Sequence, residues 1–200
     1  MGKYEQLADM VISRMFVELE ASGRHVHLTE QQALALFGHS LTPERPLSQP
    51  GQFLAKERVN LVGPRGGFRN VAVLGPERKE GQVEISLTDG KALGVTPPIR
   101  LSGEVENTPG MILEGEKGRI QLKQGVIAAK RHIHLTPEAA AIFGVRDRQI
   151  VRLQTLTERP LVFGDVVIRV REDFAPYVHI DYDEANACGF HKGDLGRILK

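Results

Sequence analysis

One phrase written twice constrains this chain more than anything else in it. Arg24-His25-Val26-His27-Leu28-Thr29 returns as Arg131-His132-Ile133-His134-Leu135-Thr136. In each copy one β-branched residue separates two histidines, and residues i and i+2 of a strand project from the same face, so both imidazoles point one way. A threonine suited to cap a helix follows. Then comes an alanine-bearing run, residues 30–36 or 137–142, closed by Phe37-Gly38 or Phe143-Gly144. Each copy reads as strand, cap, short helix and glycine stop. A single His-x-His pair is as easily a polar strand face without a ligand. Two copies with Arg, His, His, Leu and Thr in register favour metal binding, because a metal site constrains both the histidines and the cap that ends the strand.

The repeat divides 200 residues into two domains of about a hundred residues each. A formal net charge of +1 gives no excess that would point to nucleic acid or to an anionic membrane, and neither is expected as a partner. With Cys188 as the only cysteine there is no internal disulfide, which fits a reducing compartment. No stretch reads as a membrane span or a secretory signal.

Before the first copy, residues 3–17 place Leu7, Met10, Val11, Ile12, Met15 and Phe16 among Glu5, Asp9 and Arg14, close to the spacing of a one-faced amphipathic helix. This helix has no counterpart in the second half. It reads as a helix packed on a domain slightly better than as a docking peptide for a larger assembly. Elsewhere short β-rich runs alternate with turns: Val59 to Val62, Val71 to Leu74 and Val83 to Leu87 in the first half. The second half has Val151 to Gln154, Leu161 to Phe163, Val166 to Val170 and Tyr177 to Asp181. The fold expected is mainly β: two related small β-barrel domains with short helices and a metal site between them. Residues 1–19 would form the N-terminal amphipathic helix, 20–125 the first barrel half and 126–200 the second, with exchange of strands between halves left open.

Overlaying the halves adds a third residue to each histidine pair. Val83-Glu84-Ile85 and the following residues 86–94 run parallel to Val178-His179-Ile180 and residues 181–189, so Glu84 falls at the position of His179. The sets are His25, His27, Glu84 and His132, His134, His179. Three protein ligands with a position left open is the usual form of a catalytic zinc site, whereas structural zinc takes four, commonly with cysteine. Cobalt or nickel would accept an all-histidine set as well, and the sequence does not choose among them. His39 and His191 lack partners at equivalent spacing and read as surface residues. Arg78 follows the turn Gly75-Pro76 shortly before the Glu84 strand and is placed to swing towards a metal, where its planar fork would clamp phosphate. Arg24 and Arg131 project from the other strand face and read as structural salt-bridge partners. No Walker-type phosphate loop or dinucleotide fingerprint occurs, which disfavours an NTPase or a nicotinamide enzyme.

These phrases, together with Leu47-Ser48-Gln49-Pro50-Gly51-Gln52-Phe53, Leu61-Val62-Gly63-Pro64, Val73-Leu74-Gly75-Pro76 and Asp183-Glu184-Ala185-Asn186-Ala187, resemble the PduL-type phosphate propanoyltransferases over residues 20–200. These are the phosphotransacylases associated with bacterial microcompartments. The resemblance implies two β-barrel domains holding two divalent metal ions, usually zinc, where CoA and phosphate meet. By motif, His25, His27 and Glu84 would hold one metal, and His132, His134 and His179 the other. Arg78 would act on phosphate, and Ser22, Leu74 and Asn186 would lie near CoA. Ala72 departs from a basic residue expected there, and Arg45, Arg65 or Arg69 would have to substitute.

The activity implied is interconversion of a short-chain acyl-CoA (propanoyl-CoA or acetyl-CoA) and inorganic phosphate with acyl phosphate and CoA, by direct attack of phosphate on the thioester. Cys188 would be dispensable. The resemblance also implies that residues 3–17 direct the protein to shell or core proteins of a microcompartment in the bacterial cytoplasm, and it leaves room for a homo-oligomer. Two other readings fit the ligands: a metal-dependent hydrolase on a β-barrel scaffold, and a metal-stapled barrel with a role in assembly.

Overall fold

The computed structural model describes residues 2–200, and at positions 3, 5, 6, 7, 9 and 10 the backbone alone. Leu7 and Met10 of the expected amphipathic face thus lie outside the described side chains. The chain opens with α1 (Lys3–Met15), β1 (Val17–Ser22), β2 (His25–His27) and α2 (Glu30–Phe37). It continues through β3 (Pro43–Pro46), β4 (Phe53–Val62), β5 (Gly67–Gly75), β6 (Gln82–Glu84), α3 (Leu87–Leu93), β7 (Ile99–Arg100), β8 (Met111–Glu114), β9 (Arg119–Leu122) and β10 (Val126–Ala129). The second copy of the phrase begins β11 (His132–Leu135) and α4 (Pro137–Phe143). Then come β12 (Ile150–Leu156), β13 (Val162–Val170), β14 (Tyr177–Asp181), α5 (Tyr182–Cys188) and β15 (Leu195–Leu199).

Four of the helices are built to one plan. Each follows a strand, starts at a side-chain cap and stops at a left-handed glycine. Thr29, Ser86, Thr136 and Asp181 accept from the backbone N–H three residues on, and Gly38, Gly94, Gly144 and Gly189 end the helices. At α2 and α5 the capping is reciprocal, with Gln32 and Glu184 reaching back to the cap residue's N–H. Helices this short are marginal alone, so their caps and the strands they abut hold them.

Residues 22–130 make one compact unit, and residues 131–200 make another with the N-terminal segment up to Ala21. The division expected at 125/126 therefore lies at 130/131, and β1 belongs with the second half. In the unit of residues 131–200 the order β1-β14-β11-β13-β12-β15 closes into a barrel, with β15 pairing both β12 and β1. In the unit of residues 22–130 the order β7-β10-β6-β2-β5-β4-β8-β9 corresponds strand for strand from β10 to β8, and β3 lies on β4. There β8 pairs β4 as β15 pairs β12, but its other edge is taken by β9 instead of β10, so this sheet curls without closing.

Each unit has its own core. Val26, Leu28, Val73, Val83 and Leu113 are among the buried residues of one. Ile133, Leu135, Leu153, Ile168 and Val178 are among those of the other. Because strand side chains alternate, Val26 and Ile133 going into the cores sends the flanking histidines to the opposite face.

Candidate metal centre

The strand register assembles each trio. Antiparallel pairing of β2 with β6 sets His25 directly opposite Glu84, and pairing of β11 with β14 sets His132 directly opposite His179. His27 and His134 follow on the same faces. Within each trio the ligand-type atoms lie within 4.8 Å of one another. Both sets predicted from the overlay are thus brought together in space.

In the first trio the Nε2 atoms of His25 and His27 stand 3.6 and 3.7 Å from Glu84 Oε1. Their outer nitrogens face carbonyl oxygens: His25 Nδ1 is 2.8 Å from Gly23 O, and His27 Nδ1 is 3.3 Å from Leu74 O. A carbonyl only accepts, so Nδ1 carries the proton in each ring and Nε2 is left as the donor to a metal. Glu84 Oε1 accepts from Gln82 Nε2 at 2.5 Å and from the Ser102 hydroxyl at 2.8 Å. Arg78 Nη1 donates to the same Ser102 oxygen at 2.9 Å, and Gln82 Oε1 accepts from the Gly103 N–H at 2.7 Å. The Arg78 backbone N–H donates to Leu28 O, tying the turn that carries the guanidinium to the end of the histidine strand.

Electrostatics favour the ligating forms of Glu84 and His27 in this set. Burial drives the Glu84 carboxyl up, but the His25 and His27 imidazoles and the Ser102 hydroxyl outweigh it and hold it well below the usual carboxylate range. Burial, then the charges of His25 and Arg78, push His27 well below its usual value. For His25, burial acts downwards and the Glu84 carboxylate overrides it, so its value is raised. An anionic carboxylate and a neutral imidazole are the forms that bind a divalent cation.

The second trio is all imidazole. His132 and His179 stack with centroids 5.0 Å apart, and His134 packs against His179 at 4.7 Å and against the Phe174 ring at 4.0 Å. Burial, then His132, His179, Arg169 and Arg171, push His134 far below its usual value. Both ring nitrogens of His134 are buried without a hydrogen bond, an arrangement that ligation at one of them would make less costly. The donor chemistry of both sets therefore fits a divalent transition metal with an open coordination position.

Other expected residues fall as follows. Leu74 lies on β5, and its carbonyl faces His27. Ser22 ends β1, three residues before His25, and Asn186 lies on α5. Arg45, Arg65 and Arg69 are exposed, and Ala72 stands opposite His25 across the β2/β5 pair. Arg24 grips Asp89 on α3 with two hydrogen bonds of 3.0 and 2.7 Å, and Arg131 reaches Glu184 on α5 at 2.9 Å, the structural roles expected of them. Cys188 is fully buried and its thiol is pushed up by burial, unsuited to nucleophilic attack. His39 and His191 are exposed. Gln82 and Ser102 were missed by the sequence reading. Gln82, two residues before Glu84 on one strand face, could have been found from the period of two, whereas Ser102 lies in an irregular segment with no signal.

Fold and site together define a duplicated β protein of barrel type that brings a three-donor, thiol-free set to one strand pair in each repeat. In comparison with known proteins, the family model described as phosphate propanoyltransferase matches residues 18–191, and the chain belongs to that family. Among similar proteins is a phosphate propanoyltransferase of Listeria monocytogenes, 52% identical over 98% of this chain and 93% of its own length. One from Clostridioides difficile is 50% identical over 98% of this chain and 95% of its own. One from Thermotoga maritima is 48% identical over 100% of this chain and 97% of its own.

Proposed function

We propose that this protein is a phosphate acyltransferase that interconverts a short-chain acyl-CoA and inorganic phosphate with acyl phosphate and CoA. The observation that carries the reading is the link Arg78–Ser102–Glu84, which sets a guanidinium fork beside a metal-ligand carboxylate. Two divalent ions, zinc in this reading, would be held by His25, His27 and Glu84 and by His132, His134 and His179, and would supply Lewis acidity towards phosphate, the thioester oxygen and the thiolate.

Phosphate is a weak nucleophile whose charge repels it from the thioester. Arg78 donates parallel hydrogen bonds to two of its oxygens, offsets that charge and aims a third oxygen at the carbonyl carbon. Ser102 and the Leu28 carbonyl hold the arginine in place. The phosphate oxygen forms the new C–O bond, the C–S bond breaks, and CoA leaves as thiolate. No protein nucleophile takes part, in keeping with the buried, elevated thiol of Cys188. Ser22, Leu74 and Asn186 contact CoA in this reading. Propanoyl-CoA and acetyl-CoA are both candidate substrates. Residues 3–17, whose Val11, Ile12 and Met15 are exposed on α1, dock on shell or core proteins of a microcompartment in the bacterial cytoplasm.

The test is thiol release from propanoyl-CoA, with and without inorganic phosphate, by metal-stripped protein and by the same protein reloaded with zinc. Release is expected only when phosphate and zinc are both present. Zinc-dependent release indifferent to phosphate would point to a hydrolase instead, and no release from zinc-loaded protein would overturn the enzymatic reading.

A further inference from the structure

We infer that Glu20 is a positioning residue for the second metal trio, its carboxylate orienting His179 from outside the ligand set. The inference rests on the reading of His132, His134 and His179 as metal donors. Glu20 lies on β1, next to β14 in the closed barrel, and its Oε2 is 3.4 Å from His179 Nδ1. A carboxylate there holds the proton on Nδ1, turns Nε2 towards the metal and makes the imidazole a stronger donor.

The duplication gives an independent reason. β1 precedes the first copy of the phrase and β10 precedes the second, yet each pairs in the unit built around the other copy, β1 beside β14 and β10 beside β6. Glu20 stands four residues before Arg24, and Ile127 stands four before Arg131, so the two positions are equivalent. Ile127 is fully buried and directly opposite Glu84. Where the ligand strand carries a carboxylate, the neighbouring strand carries isoleucine. Where the ligand strand carries His179, the neighbouring strand carries the carboxylate.

Physical chemistry explains the exchange. Three neutral imidazoles leave both charges of a divalent ion unbalanced, and Glu20 offsets one of them through His179. Beside Glu84 a second carboxylate would be a like charge, raising the cost of ionising both. Each trio thus meets one carboxylate, directly in one unit and through an imidazole in the other. Glu20 is reached by no motif, since it belongs to the strand before the repeat. Its side chain is about a third exposed, so replacing it opens no cavity.

The experiment is a zinc titration of metal-stripped protein against a chromophoric chelator, with the visible spectrum of the cobalt-loaded protein as a second readout. Wild type should take two equivalents. Glu20→Gln should keep one at wild-type affinity and bind the other roughly 10- to 100-fold more weakly, with a changed cobalt spectrum for that site alone. Glu18→Gln, which removes the same charge two residues away on the same strand face, should match wild type. In a His179→Ala background Glu20→Gln should add no further loss. Glu20→Gln with two sites of wild-type affinity would overturn the inference, as would equal weakening of both sites or the same loss in Glu18→Gln. Wild type that binds no zinc would instead remove the metal reading itself, and the role of Glu20 with it.

Discussion

At the scale of single residues, Arg78 is the side chain whose chemistry is least replaceable. Its fork can donate two parallel hydrogen bonds, while lysine offers a point charge on a flexible stem. Arg78→Lys is therefore expected to lower kcat/KM for phosphate by roughly 10- to 100-fold, with zinc content unchanged. Steady-state rates at varied phosphate and metal analysis of the same preparation check this together. A fall in zinc content would show that Arg78 acts chiefly by supporting Glu84 through Ser102.

At the scale of elements, the unit that matters is the strand followed by a capped short helix. β2 is three residues long and α2 eight, so neither holds itself. The Thr29 side chain accepts from the Gln32 N–H and Gln32 answers to the Thr29 N–H, which fixes where the histidine strand ends. Thr29→Ala should cost about 1 kcal/mol, read from the urea unfolding midpoint with the slope unchanged. The Arg24–Asp89 and Arg131–Glu184 pairs do a related task, tying the start of each histidine strand to the helix after the third ligand. The repeated Thr and Gly made these helices readable in advance. Their partners Asp89 and Glu184, 65 and 53 residues away in sequence, were not, because nothing local marks which acid an arginine will meet.

At the scale of the whole molecule, the pH dependence of stability in the absence of metal is set by buried imidazoles and a buried carboxyl that act in opposite senses. His27 and His134 stay neutral in the folded chain, while the unfolded chain takes up a proton at each near pH 6.5. Below that pH the unfolded state binds more protons, so stability falls as pH falls. His25, whose value is raised, and Glu184, pushed up to about 7 by burial, bind protons more readily in the folded chain and act in the opposite sense, so two groups stand against two. Chelator-treated protein should therefore change in stability by no more than about 1.4 kcal/mol between pH 7.5 and pH 5.5 by urea unfolding, the contribution of a single group titrating over one pH unit. A shift of the midpoint well beyond that bound, in either direction, would contradict this balance.

The sequence by itself determined the two histidine pairs, the two capped helices that follow them, the β-rich class and, through the overlay, Glu84 and His179. Those features are local, or are written twice, and a period of two or a repeat exposes them. Tertiary structure alone decided that β1 joins the second-half barrel, that one sheet closes while its counterpart curls open, and that Ser102 and Glu20 stand close to the ligands. Strand pairing is a choice among distant partners made by the burial of two whole cores, and such a choice leaves no mark in the residues nearby.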